Sequence, residues 1–217
     1  MADRLFIGTR RYSSWSLRGW LAVRLARLPV EEVVIPLAGG ATPAVKAASP
    51  SGTVPYLEHA GNRIWESLAI CEYCAEQAPG LWPDSPAART HARVISAEMH
   101  AGFRELRMAM PMSLFRQGAA GTGRTPGVLA DVARIETIWR ETHARFGGPF
   151  LFGRAFTLAD AMYAPVVARL LTYTPELAAD SQAYCAAVRA HELVAEWYET
   201  AAAEPVEWHL PSYENAP

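Results

Sequence analysis

The sequence predicts a small α/β domain joined by a short linker to an all-α domain. Three observations carry this expectation. Short apolar, β-rich runs alternate with helical spacing over residues 1–79. Prolines at 79, 83 and 86 crowd the next stretch, so residues 80–86 read as a linker. From residue 87 to 217 no strand pattern returns, and alanine-rich helical spacing runs to about Ala203.

Each element has its own signal. Leu5-Phe6-Ile7 is a short apolar strand, followed by a polar turn from Thr9 to Ser14. Leu17, Leu21, Leu25 and Leu28 then line one face of a helix that Pro29 ends. Glu31 to Leu37 is β-rich again, and two strands flanking one helix imply a parallel pair with a right-handed crossover. Gly39 to Ser51 reads as loop with a helical turn around Val45-Lys46. The runs at 53–58 and 63–65, split by Ala60-Gly61-Asn62, form a hairpin, and a helix opens at Glu66-Ser67. The order β-α-β-β-β-α with a mixed four-stranded sheet is thioredoxin-like. Beyond the linker, residues 87–115 read as one helical stretch, Gly118 to Gly127 break it, and Val128 to Phe146 are helical again.

Composition narrows the function. Among 217 residues, 20 Lys+Arg face 22 Asp+Glu for a formal net charge of −2, with Lys46 the one lysine beside 19 arginines. A balanced total without a basic run excludes a phosphate-neutralising nucleic-acid surface. No apolar stretch is long enough for a membrane span, and the first residues lack the basic and apolar regions of a signal peptide. Three cysteines make no disulfide framework, so the expected location is the reducing cytoplasm.

Candidate chemistry clusters in the first domain. Ser13-Ser14-Trp15-Ser16-Leu17-Arg18 lies where the first strand gives way to the first helix, where free helix N–H groups favour an anion. Ser13 and Ser16 have the spacing that redox proteins fill with cysteines; hydroxyls instead cap the helix or donate to a bound thiolate. Val54-Pro55 opens a strand facing this corner, and a cis bond there would turn backbone groups outward to pair with a peptide. At the next helix start, Ser67 with the free N–H groups suits a carboxylate and Glu66 an ammonium, a set matched to an α-amino acid head. Phe156-Thr157-Leu158-Ala159-Asp160 is a capping signature with a folding role worth about 1 kcal/mol. In the helical domain, His100, Phe103, Arg107 and Met110 are candidates for a pocket wall, Arg107 for an acidic ligand and the methionines as adaptable apolar surface. No His, Cys, Asp and Glu spacing suggests a metal site.

These motifs together resemble the cytosolic glutathione transferases. The Ser-Ser-Trp-Ser-Leu-Arg corner is similar to the zeta-class Ser-Ser-Cys-x-x-Arg, with Trp15 in place of the cysteine. Ser49 to Leu57 resembles Asn-Pro-x-Gly-x-Val-Pro-x-Leu, Glu66 to Ile70 matches Glu-Ser-x-Ala-Ile, and the Thr157–Asp160 signature matches the family's C-terminal capping motif. The resemblance implies a two-domain fold, glutathione as co-substrate, no metal, and a homodimer. It implies that Ser13 or Ser14 holds the glutathione sulfur, zeta spacing favouring the first and theta or delta spacing the second. Lys46, Thr53, Val54, Pro55, Glu66 and Ser67 would bind the tripeptide, and Trp15, His100, Phe103, Arg107 and Met110 would surround a second substrate. A zeta-class arginine in the helix after the capping motif falls near Thr172, not on an arginine. The function implied is thiolate attack on a small hydrophobic electrophile; glutathione-dependent cis/trans isomerisation and a non-catalytic adaptor are the alternatives. Cys71-Glu72-Tyr73-Cys74 is a rival redox signal, but it lies inside the helix after Ser67, where cysteines serve as core filler.

Overall fold

A computed structural model describes residues 3–214 of the chain. Strand β1 (Arg4–Gly8) runs parallel to β2 (Glu31–Ile35), with Phe6 opposite Val33 and helix α1 (Ser14–Leu25) between them. Strand β3 (Tyr56–His59) pairs antiparallel with the other edge of β1 and continues into β4 (Asn62–Trp65), giving the order β2-β1-β3-β4. The hairpin turns on Ala60 and Gly61, both at positive φ as a two-residue hairpin turn requires. A short helix, α2 (Pro43–Ala48), follows β2, and α3 (Ser67–Gln77) completes the thioredoxin-like order.

The helical part opens with α4 (Pro86–Ala101), capped by the Ser85 hydroxyl and carrying proline in its first turn. The stretch expected to be one helix from 87 to 115 is instead broken. A side chain at Gly102 would press 2.8 Å from the Glu98 carbonyl, and Phe103 adopts left-handed φ 59. After this bend come the short α5 (Arg104–Ala109) and an irregular segment over 110–117. Then follow α6 (Pro126–Phe146), α7 (Leu158–Tyr173), α8 (Ala179–Ala190) and α9 (Glu192–Ala202). The described chain ends with a 3-10 turn at Val206–Trp208 and the single turn α10 (Pro211–Glu214). None of the described helices is long and apolar enough to cross a membrane.

Helix α7 is the axis of the molecule. Every residue from Leu158 to Leu170 is buried, as expected for a helix apolar on all sides. Helix α1 lies between the sheet and α7, so it too is buried well beyond its leucine stripe. One continuous core therefore runs from Leu5 and Leu17 through Ile70 and Met99 to Trp139 and Met162. A smaller cluster of Phe6, Ile35, Val45 and Tyr56 fills the opposite face of the sheet beneath α2.

The start of α7 is held by one carboxylate. Asp160 Oδ2 accepts from the Thr157 amide at 2.8 Å and the Thr157 hydroxyl at 2.9 Å. Its Oδ1 accepts from the Leu151 amide at 2.9 Å and the Tyr184 hydroxyl at 3.1 Å. Burial raises the Asp160 pKa and these hydrogen bonds oppose the rise. The motif thus does more than cap: it ties the 150s loop and α8 to the central helix. Asp160→Ala, leaving these donors buried and unpaired, is expected to lower stability by about 3–5 kcal/mol in urea unfolding, and Tyr184→Phe by about 1 kcal/mol. A loss below about 1 kcal/mol for Asp160→Ala would refute the network account.

Candidate active site

The turn after β1 sets the site. The Thr9 carbonyl accepts from the amides of Tyr12 at 3.2 Å and Ser13 at 2.9 Å, which tightens the chain into α1. Ser13 is the N-cap: its hydroxyl accepts from the Ser16 amide at 3.3 Å and donates to Ser16 Oγ at 2.7 Å. Ser16 Oγ also accepts from the Gly8 amide at 3.0 Å. A short hydroxyl chain thus lies where a redox protein would carry its disulfide, and the Ser13 hydroxyl belongs to the fold.

Ser14 is placed differently. Its Oγ accepts from Arg169 Nη2 at 3.2 Å, across the seam between α1 and α7. With a lone pair engaged by a cation, the Ser14 proton is left to donate elsewhere. Arg169 also donates through Nη1 to the Pro165 carbonyl at 3.0 Å, while its buried Nε has no hydrogen-bond partner. Burial and then the nearby Arg107 push its pKa down to about 9, so it stays charged at neutral pH.

Ser13, Ser14, Trp15, Val54, Arg107 and Arg169 line one cleft of about 310 Å³. Tyr12, Leu37, Pro111, Met112 and Tyr213 complete its wall, and no carboxylate lines it. Two guanidinium groups, Arg18 and Arg107, approach the Trp15 ring, each 4.8 Å from its centroid. Arg107 is anchored on the carbonyls at the end of α4, donating to Gly102 at 3.0 Å and also to Met99. The bend at Phe103 brings it there. Burial lowers the pKa of Arg107, and burial followed by repulsion from Arg107 and Arg169 lowers that of Arg18.

The Val54-Pro55 bond is cis. Pro55 packs so close to α1 that a Cβ on Gly19 would lie 2.7 Å from its ring, so glycine at 19 permits the approach. At the head of α3, Glu66 adopts φ 78 and turns its carboxylate back onto the helix, accepting from the Leu68 amide at 3.0 Å. The Ser67 hydroxyl donates to it at 3.4 Å and His100 Nε2 lies 3.3 Å away. Burial lowers the His100 pKa against the pull of Glu66. His100 meets Trp15 edge-on, with centroids 5.3 Å apart.

The cleft therefore brings together both serines, Trp15, Val54 and Arg107 from the expected set. The other expected tripeptide residues sit around it. Pro55 is buried against α1, Lys46 and Thr53 are exposed before the cis bond, and Glu66 and Ser67 mark the head of α3. Three expected wall residues are placed elsewhere. Met110 is fully buried in the core because the chain has left its helix by then, and Phe103 is buried at the bend. His100 is turned to Glu66 and the Trp15 edge. Pro111 and Met112, just beyond, take the wall positions instead. Position 172 of α7 is a threonine, and the arginine that this helix does carry lies about one turn earlier, at Arg169. Its signal was readable: apart from Asp160 it is the one charged residue in that apolar helix, and a buried cation needs a polar partner.

The three cysteines are buried and free. Burial raises all three thiols, Cys74 and Cys185 to about 12 and Cys71 further, so none is a thiolate at neutral pH. The redox reading finds no support in this placement. At pH 8 the folded protein should leave all three unreactive toward an aromatic disulfide reagent, with three thiols titrating in urea. A fast-reacting thiol in the native state would contradict the burial.

Comparison with known proteins agrees with this architecture. Residues 12–77 match the family model "Glutathione S-transferase, N-terminal domain" and residues 119–200 match "Glutathione S-transferase, C-terminal domain". The chain belongs to the glutathione S-transferase family. Among curated relatives it is 30% identical over 179 residues to the maleylacetoacetate isomerase of Rhizobium meliloti (strain 1021), covering 77% of this chain and 82% of that one. It is 29% identical over 163 residues to a Caenorhabditis elegans protein named "Probable maleylacetoacetate isomerase", covering 73% and 74%. Among solved structures, a bacterial zeta-class maleyl pyruvate isomerase shares the fold with a TM-score of 0.72 at 23% identity, covering 94% of this chain and 99% of the other.

Proposed function

We propose that the chain is a glutathione-dependent enzyme that isomerises a small unsaturated carboxylic acid about its double bond. The observation that carries this reading is the pair of guanidinium groups, Arg107 and Arg169, in a cleft beside Ser14 without a lining carboxylate. Such a cleft favours an anion, and the names of the curated relatives point to unsaturated acids.

The residues present fit the tripeptide. The head of α3 already attracts a carboxylate, that of Glu66, and Val54 lies outside the β3 ladder beside the cleft. Glutathione, when bound, supplies a sulfur nucleophile that adds to an activated double bond and leaves again once that bond has rotated. Ser14 donates its hydroxyl proton toward the sulfur and favours the thiolate, and Arg169 fixes the direction of that hydroxyl. Ser13 keeps the N-terminus of α1 in place. Arg107, with Arg169, holds the substrate carboxylate and withdraws charge from the conjugated system. Thr53 belongs to the loop that carries Val54, and Lys46, exposed on α2 just before it, would take an exposed carboxylate of the tripeptide. The apolar Leu37, Pro111 and Met112 wall favours a second reading, conjugation of a neutral electrophile.

Three measurements test these assignments. Retention on glutathione-agarose is expected; passage in the flow-through would remove the glutathione reading and favour a non-catalytic adaptor. A hydrogen bond to a charged group contributes roughly 1.5–3 kcal/mol, so Ser14→Ala should raise the pKa of the bound thiol by about one to two units. Ser13→Ala should leave that pKa in place and lower stability by about 1 kcal/mol. Arg107→Met should raise KM for maleylacetone isomerisation about tenfold or more and spare conjugation of chlorodinitrobenzene; the opposite pattern would favour the transferase reading.

A further inference from the structure

The last described segment borders the cleft at Tyr213 and is fastened at both ends to one turn. Glu204, at its start, accepts from the Arg10 amide at 2.7 Å and the Arg11 amide at 3.3 Å. Glu214, at its end, accepts through Oε1 from Arg11 Nε at 3.1 Å, Arg11 Nη2 at 2.9 Å and the Tyr12 hydroxyl at 2.7 Å. That hydroxyl in turn accepts from the Leu210 amide at 3.0 Å. Between the two carboxylates the chain passes over the loop after β2, where a Cβ on Gly39 would lie 3.8 Å from Leu210 and Ser212.

No residue from 205 to 214 is buried, so the segment adds little to the core. What its path does is carry Tyr213 into the cleft wall, with its ring centroid 5.2 Å from that of Tyr12. Burial would raise the Glu214 pKa, but the hydrogen bonds from Tyr12 and Arg11 outweigh it and hold the group below its ordinary value. The carboxylate that closes the strap is therefore ionised throughout the neutral range.

We infer that Tyr213 is a specificity-determining contact for the second substrate, and that Glu214 is the positioning residue that holds it in the wall. The Tyr12–Tyr213 pair provides an aromatic side to a cleft whose charged groups are Arg107 and Arg169. The ligand class this selects is a carboxylate joined to a planar conjugated or aromatic body. The inference rests on the proposed function for its substrate, and its test does not require turnover.

The test is calorimetric binding of cinnamate to the glutathione-loaded protein. Tyr213→Ala is expected to weaken cinnamate about fivefold and to leave the affinity for glutathione within about twofold. Glu214→Gln should weaken it by a similar or smaller factor, and the double variant should be no weaker than Tyr213→Ala, because Glu214 acts through Tyr213. Additive losses, or unchanged affinity in Tyr213→Ala, would overturn the inference, as would a wild type that ignores cinnamate. Amide hydrogen exchange at Leu210 and Tyr213 should quicken in Glu214→Gln; equal rates would overturn the positioning role even if every variant binds. Loss of isomerase activity with these outcomes intact would count against the proposed reaction alone.

Discussion

A guanidinium buried without a carboxylate has to be satisfied by carbonyls, hydroxyls and rings; two such groups, Arg18 and Arg169, together with the half-buried Arg107, organise this molecule. Arg18 is fully buried; its Nε donates to the Met162 carbonyl at 2.9 Å, and its two terminal nitrogens have no hydrogen-bond partner. Arg169 answers it from the other side of the seam, reaching Ser14. Arg107 completes the group by closing on Trp15. Burying one unpaired charge costs several kcal/mol, so this arrangement persists only because the α1–α7 core around it is large. The local field it leaves is positive. That field favours an anion in the cleft beside Ser14.

One turn, residues 9–14, collects the remaining constraints. Its carbonyls and amides shape the entry into α1, Ser13 caps that helix, and Ser14 faces the cleft. Its Arg10 and Arg11 amides receive Glu204, and the Arg11 and Tyr12 side chains receive Glu214. A turn with so many partners cannot shift without moving both Ser14 and the far wall of the cleft. The arrangement places preorganisation of the reacting groups in the backbone, where it needs no reordering when ligands arrive.

Much of this was legible in the amino-acid pattern, and the parts that were not share a cause. The β-α-β-β-β-α order, the hairpin at Gly61 and the capping signature at Asp160 are local signals, set by turn chemistry and periodicity, and the structure has them. Residues Ser14, Trp15, Val54 and Arg107 reach one cleft as read. The misses are tertiary. Met110 carried the helical period into a segment that Gly102 and Phe103 had already ended, so its side chain points to the core. Ser13 and Ser14 differ in their surroundings through a side chain 155 positions from Ser14, that of Arg169, which no local spacing reveals. The strap carrying Tyr213 has no buried residue after Glu204 and hence no periodicity; what marks it is the pair of anchoring carboxylates at its ends.

The composition acquires a meaning from these contacts. With 19 arginines and one lysine, the chain uses guanidinium almost wherever it needs a cation. An ammonium is a compact, strongly hydrated charge with three rotating donors, and burial readily takes its proton away. It could not sit over Trp15 at 4.8 Å and reach two carbonyls at the same time, as Arg107 does. Nor would it hold its charge where burial already brings Arg169 down to about 9. A planar group that is weakly hydrated, stacks on rings and keeps its proton is what a positive cleft requires. Lysine at 18, 107 or 169 would preserve the formal count while losing the charge, the stack or both. The single lysine, Lys46, sits on the exposed face of α2, where nothing asks a cation to stack.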